Sequence, residues 1–117
     1  LSHPIGAVLD THHGLTNAVA MPYVVQFNRP AIEDKIVRLS RWLGLRTPTF
    51  DGFMQWVLDL RREVGIPHTL AEIGVKTEHL DKFAEMAAVD PTAGGNPVKA
   101  GVPEMRKMYE AAVAGRL

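Results

Sequence analysis

The sequence predicts an all-α domain, and three observations carry that prediction. Apolar residues recur in steps of three and four over most of the 117 residues, which returns them to one helix face. No stretch alternates Val, Ile or Thr between turn formers as a strand pair requires. A content of 46% apolar and 22% charged residues is enough to bury one core, and the length fits one domain.

Taken in order, Leu15, Ala18, Val19, Val24 and Val25 predict a helix over about 14–27, kinked where Pro22 removes a backbone donor. Ile32, Ile36, Leu39 and Leu43 predict a second, with Pro30 at its first position and Gly44 just past its end. Phe50, Phe53, Met54, Val57, Leu60 and Val64 form a third stripe, entered through Thr47-Pro48-Thr49 and closed at Gly65-Ile66-Pro67. Between Thr69 and Gly74 there is room for about one helical turn. Leu80, Phe83, Ala84 and Ala87 follow Thr77, whose hydroxyl suits a cap. Met105, Met108, Tyr109, Ala112 and Val113 make the last stripe, with Pro103 near its start and Gly115 at its end. Pro91-Thr92-Ala93-Gly94-Gly95-Asn96-Pro97 is too rich in turn formers for helix and reads as a shaped loop. Met54, Trp56, Met86, Met105 and Met108 read as packing residues, and Glu104, Arg106, Lys107 and Glu110 as a solvated face.

Charge narrows the function. Thirteen Lys and Arg cancel thirteen Asp and Glu, with no run of one sign, so neither nucleic acid nor an anionic membrane meets an electrostatic footprint. No apolar run approaches the roughly 20 residues that span a bilayer, and no signal-like segment opens the chain. The absence of cysteine removes disulfides, thiolate metal sites and a Cys nucleophile, and fits a cytoplasmic setting. Imidazole, carboxylate and hydroxyl groups are left to do any chemistry.

Three of the five histidines, His3, His12 and His13, lie within eleven residues, with Asp10 among them. Such donors suit Fe(II) or Zn, which need at least three protein ligands. Adjacent His12 and His13 point about 100° apart on a helix, so one ion is not shared between them. The alternative is structural, with Asp10 or Thr11 capping the following helix and the histidines as ordinary polar residues. His68 and His79 read as surface or capping residues. Thr92, Gly94, Gly95 and Asn96 are candidates to offer backbone N–H groups to an anion or a cofactor edge, because glycines permit close approach. Without a preceding strand the loop is not a dinucleotide fingerprint, and it also reads as a plain turn between helices.

The blocks His3-Pro4-Ile5-Gly6-Ala7, Asp10-Thr11-His12-His13-Gly14-Leu15-Thr16-Asn17-Ala18, Met21-Pro22-Tyr23-Val24, Phe27-Asn28 and Asp90-Pro91-Thr92-Ala93-Gly94-Gly95-Asn96-Pro97 resemble the C-terminal half of the iron-containing (group III) alcohol dehydrogenases. The resemblance covers essentially the whole chain. It is most specific in the first blocks, whereas the helices from Ile32 to Val89 match mainly in pattern. It implies that residues 1–117 are the helical metal and substrate domain of the dehydroquinate synthase-like, iron-containing alcohol dehydrogenase fold. An N-terminal NAD(P)-binding domain would lie outside the chain, which begins at Leu1 rather than Met and reads as a fragment.

In the family an aspartate and three histidines hold Fe(II), or zinc in some members. The last of these histidines corresponds to His13, and the other three ligands would precede Leu1. His3 corresponds to a second active-site histidine near metal, substrate and nicotinamide. The Gly94-Gly95-Asn96-Pro97 loop corresponds to a border of the nicotinamide and substrate pocket. His12 stands where relatives often carry other residues, such as proline, and takes no ligand role. The implied reaction interconverts an alcohol and an aldehyde or ketone with NAD or NADP, in a homo-oligomer. The isolated fragment is expected to be inactive. Two other readings remain: a stand-alone helical interaction module, and a glycerol dehydrogenase or dehydroquinate synthase-like enzyme domain.

Overall fold

The computed structural model describes all 117 residues, Leu1–Leu117, as five α-helices and three 3-10 turns without a strand. They are α1 (Ser2–Leu9), α2 (His13–Trp42), α3 (Phe50–Glu63), α4 (Leu80–Ala88) and α5 (Val102–Ala114), with the turns at Leu70–Ile73, Thr77–His79 and Ala93–Gly95. No helix is long and apolar enough to cross a membrane.

The main core gathers α1, α2, α4 and α5. Ile5, Val19, Leu80, Phe83, Ala84, Tyr109 and Ala112 are at most 1% exposed within it. The stripes expected in α4 and α5 are the faces that meet there, and Phe83 packs tilted on Tyr109 with ring centroids 5.8 Å apart. Met105 and Met108 are buried in the same cluster. A smaller cluster joins the second half of α2 to α3, where Phe50, Phe53, Met54 and Val57 are covered by Val25, Ile32, Ile36 and Leu45. Trp56 keeps 40% of its surface exposed at the edge of that cluster.

Two expected helices are one. α2 runs for 30 residues through both Pro22 and Pro30, so Pro30 lies in a helix interior instead of starting a new helix. Each proline removes one ladder hydrogen bond and crowds the carbonyl four residues earlier, at a cost of about 3 kcal/mol or more. Burial offsets that cost: Pro22 is fully buried, and α2 packs against α1, α3 and α5. Propensity is the weaker term once tertiary contacts are made.

The caps are local. Thr49 Oγ1 accepts from the Gly52 amide at 3.0 Å to start α3. Gly52 has no alternative, because a Cβ there would stand 2.0 Å from the Thr47 carbonyl oxygen. Thr69 and Glu72 form a reciprocal capping box over the expected turn. Thr77 does not cap α4 as expected: α4 starts after His79 with no side-chain cap, and His79 Nδ1 accepts from the Lys76 amide at 3.0 Å at the start of the preceding turn.

α1 was not legible as a helix, and Asp10 is not the cap of the helix that follows. Asp10 ends α1 at φ 52°, the one non-glycine residue with positive φ, and its amide donates to the Gly6 carbonyl at 3.0 Å. Asp tolerates this left-handed conformation better than most residues. The N-cap of α2 is His12, whose Nδ1 accepts from the Leu15 amide at 3.4 Å. Thr11 Oγ1 instead accepts from the buried Thr16 hydroxyl at 2.9 Å.

Candidate functional site

The turn at Asp10 folds α1 back along the start of α2 and brings His3 and His13 together. Their rings stack with centroids 5.3 Å apart and planes 18° from parallel. His12, one residue away, is occupied at the helix cap and takes no part in the pair.

Each imidazole is oriented by a different neighbour. Asp90, just beyond α4, accepts through Oδ2 from His3 Nδ1 at 2.8 Å. A carboxylate accepts only, so the proton sits on Nδ1 and the His3 Nε2 lone pair stays free on a side chain that is 55% exposed. On α2, Asn17 stands one turn after His13. Ser2 Oγ donates to Asn17 Oδ1, which turns the amide nitrogen toward His13 Nε2 at 3.1 Å. An N–H donor at that distance requires a lone pair on His13 Nε2, which the Asn17 amide occupies, so a metal bound through Nε2 would have to displace that amide.

Asp90 is itself fixed. Its Oδ1 accepts from the Thr92 amide at 2.8 Å and the Thr92 hydroxyl at 2.6 Å. Those two bonds, and then the bond to His3, hold the carboxyl far below the usual carboxylate range. Asp90 opens the Asp90–Pro97 block but takes no role from the sequence. The signal for it was the Asp-Pro-Thr start of the loop, a sequence that favours a side-chain-closed turn.

The loop after Asp90 borders a cleft of about 270 Å³ lined on its polar side by Asp90, Thr92, Gly95 and Asn96. The amides of Thr92, Gly95 and Asn96 already have acceptors within the loop, namely Asp90 Oδ1 and the carbonyls of Thr92 and Ala93. Open surface at the two glycines is what the loop offers: a Cβ at Gly94 or Gly95 would meet no atom within 4 Å. The Asn96 side chain points inward as an anchor. Its Nδ2 donates to Asn28 Oδ1 at 2.7 Å and to the Val98 carbonyl at 2.6 Å, while Asn28 Nδ2 donates back to Asn96 Oδ1 at 2.8 Å. The structure therefore gathers His3, His13, Asp90 and Thr92 into one polar chain, with Asn96 holding the loop to α2.

The donor set suits iron or zinc in kind, because His13 is a neutral-type imidazole donor whose Nε2 lone pair a metal would take over from Asn17. No group of three or more His, Asp or Glu in the chain converges on one point, so His13 fits as one member of a ligand set that these residues do not complete.

The chain matches the family model described as Fe-containing alcohol dehydrogenase family, C-terminal, over residues 1–113. It is 30% identical to lactaldehyde reductase of Escherichia coli (strain K12), covering 96% of this chain and 31% of that protein. It is 35% identical to 4-hydroxybutyrate dehydrogenase of Cupriavidus necator, covering 94% of this chain and 31% of that protein. Among solved structures, a 1,3-propanediol oxidoreductase superposes with a TM-score of 0.88 at 28% identity, covering 95% of this chain and 31% of that one. The alcohol dehydrogenase from Oenococcus oeni gives 0.86 at 32%, covering 95% and 30%. The chain thus spans about a third of the length of the relatives it matches.

Proposed function

Because the chain belongs to the Fe-containing alcohol dehydrogenase family, we propose that it is the helical metal and substrate domain of an NAD(P)-dependent enzyme that interconverts an alcohol and an aldehyde or ketone. The observation that carries this reading is the stacked His3 and His13 pair, each ring oriented by its own partner, beside the cleft under the Gly94-Gly95 loop.

In this reading His13 Nε2 would be one ligand to Fe(II) or zinc once the Asn17 amide swings off it, and the remaining ligands come from sequence outside these residues. A metal held there would supply Lewis-acid chemistry at the substrate oxygen, and a bound NAD(P) would supply the hydride chemistry. His3 handles the proton. With Nδ1–H held by Asp90, its exposed Nε2 accepts the proton that leaves the alcohol, or returns it to the carbonyl oxygen on reduction. Asp90 is a positioning residue that favours this tautomer and stabilises the imidazolium formed when the proton arrives. Gly94 and Gly95 leave room for a flat ring to approach the loop, and Asn96 keeps the loop in register. With one metal donor and no nucleotide-binding strand-turn-helix, the 117 residues alone are inactive. Exposed Trp42 and Val64, at 91% and 63%, suit burial against the rest of the enzyme or another subunit.

The test compares two proteins. The product of the whole reading frame that contains these residues, loaded with Fe(II), should reduce NAD or NADP with an alcohol and lose that rate on chelation. His13→Ala should lower it by about 100-fold or more, since even outer-shell losses cost roughly 10–100-fold. The 117-residue chain should show no turnover. A rate indifferent to both chelation and His13→Ala would refute the reading.

A further inference from the structure

Arg61 on α3 is a cation buried without an anion. It is 6% exposed, and no ion pair in the chain includes it. Its Nη2 donates to the carbonyls of Pro67 at 2.8 Å, His68 at 3.2 Å and Val19 at 3.3 Å. Its Nε and Nη1 are buried with no acceptor at all. Arginine is seldom buried unpaired, because stranded guanidinium hydrogens lose their water without replacement. Tying three carbonyls together explains one nitrogen of the three.

A cavity of about 220 Å³ lies against this side chain, lined by Leu58, Arg61, Arg62, Ile66 and His68. Two guanidinium groups and an imidazole face it, and no acidic side chain is among the five. The acids nearby have other engagements. Glu72 is bound to the amide and hydroxyl of Thr69, and Asp59 meets Arg62 only at 3.5 Å. Tyr23 Oη donates to the His68 carbonyl at 2.7 Å, so it adds no negative charge. None of the five residues lines the cleft beside Asp90.

We propose that this cavity is a second binding site, for a small oxyanion of the phosphate or carboxylate kind, held by Arg61 with Arg62 and His68. The oxyanion oxygens accept from Arg61 Nη1 or Nε, which are the hydrogens the fold leaves unmatched. Both are closed to solvent in this conformation. His68 is held in the wall by its Nε2 contact with the Gly115 carbonyl at 3.2 Å, so the largely exposed Arg62 side chain is the one that turns aside to admit the ligand. Leu58 and Ile66 supply an apolar wall, which limits the occupant to a small ion or one with a short carbon chain. The site is independent of the redox reading and depends only on these five residues.

The experiment uses the 117-residue chain and follows the Arg61 side-chain Nε–H together with the backbone amides in proton–nitrogen NMR. Sodium phosphate and sodium acetate are titrated separately, with sodium chloride at matched ionic strength as the control. One of the two oxyanions should produce a saturable shift confined to Arg61 and the cavity residues, with a Kd of about millimolar order. Saturation by phosphate alone makes the ligand a phosphate group, and saturation by acetate alone makes it a carboxylate. Arg62→Gln, a change at a largely exposed side chain, should weaken that binding about tenfold, as expected for one lost charge-assisted contact. Stabilisation against heat alone is not diagnostic, since phosphate strengthens burial generally. The proposal falls if neither ion saturates, if the shifts spread equally over Arg29, Arg38 and Arg41, or if Arg62→Gln binds as the parent does.

Discussion

The pairing of Asn28 with Asn96 offers the most direct quantitative test of how the site is held. The two amides exchange hydrogen bonds of 2.8 and 2.7 Å across 68 residues of chain, and Asn28 is only 5% exposed. Each internal bond contributes about 1 kcal/mol net, so the reciprocal pair is worth about 2 kcal/mol. Asn28→Ala removes both bonds and leaves Asn96 partly unpaired beside α2. At about 0.25 kcal/mol per degree for a domain of this size, the melting temperature should fall by ~8 °C. A double-mutant cycle with Asn96→Ala isolates the mutual term, because the Asn96 bond to Val98 is lost in the single and double variants alike. The coupling read by urea denaturation should be about 2 kcal/mol, and amide exchange over 92–98 should quicken in Asn28→Ala. A coupling below about 0.5 kcal/mol would mean that the loop is held by something other than this pair.

Other perturbations follow from the same geometry. The Asp90 carboxyl is held far below its ordinary value, near 3.9 in an unfolded chain. The stability it contributes is therefore complete above about pH 4 and is lost as pH falls toward the depressed value. Melting temperature between about pH 5 and 2 should fall more steeply in the parent than in Asp90→Asn; equal slopes would contradict the assignment. In the same variant nitrogen chemical shifts of His3 should show both tautomers populated, where the parent is protonated at Nδ1. Gly52→Ala drives a Cβ into the Thr47 carbonyl and should cost about 1–3 kcal/mol or more in urea denaturation, whereas a loss under ~0.5 kcal/mol would show that the start of α3 yields easily.

The helices that sequence patterning identified most closely are those whose stripe faces a single neighbour. α3 and α5 begin and end near the residues expected to bound them, α4 shows the expected stripe but starts three residues after Thr77 without a side-chain cap, and the turn at Leu70–Ile73 lies where about one turn is expected. At α2 the two prolines suggest a break that does not occur, because the penalty at buried Pro22 and exposed Pro30 is overcome by the packing of the helix as a whole against three others, which no local window records. α1 escaped notice for the opposite reason: its eight residues carry no side-chain cap, and Pro4 and Gly6 sit inside it. Within the site, the wording of the motifs singled out His3, His13 and the Gly94-Gly95-Asn96 loop. The partners that orient them were harder to see. Asp90 reaches His3 across 87 residues, and Asn17 shares a helix face with His13 but belongs to no ligand spacing. In the sequence Arg61 is one charge among several between Phe50 and Glu63, and only burial reveals that it lacks a counterion.

The hydrogen bond from His3 to Asp90 also bears on the order in which the chain assembles. His3 and His13 are ten residues apart and can meet as soon as the turn at Asp10 closes, a short loop with a small entropic cost. Asp90 arrives only when α4 has docked on α1 and the loop after it has formed. Contacts of such long separation are late and slow ones in folding. The imidazole pair is thus a local unit, whereas the tautomer that the proposed proton transfer needs is imposed from the far end of the domain. A chain whose C-terminal third has not yet docked would carry His3 with its proton unassigned, so the His3 tautomer reports completion of the fold.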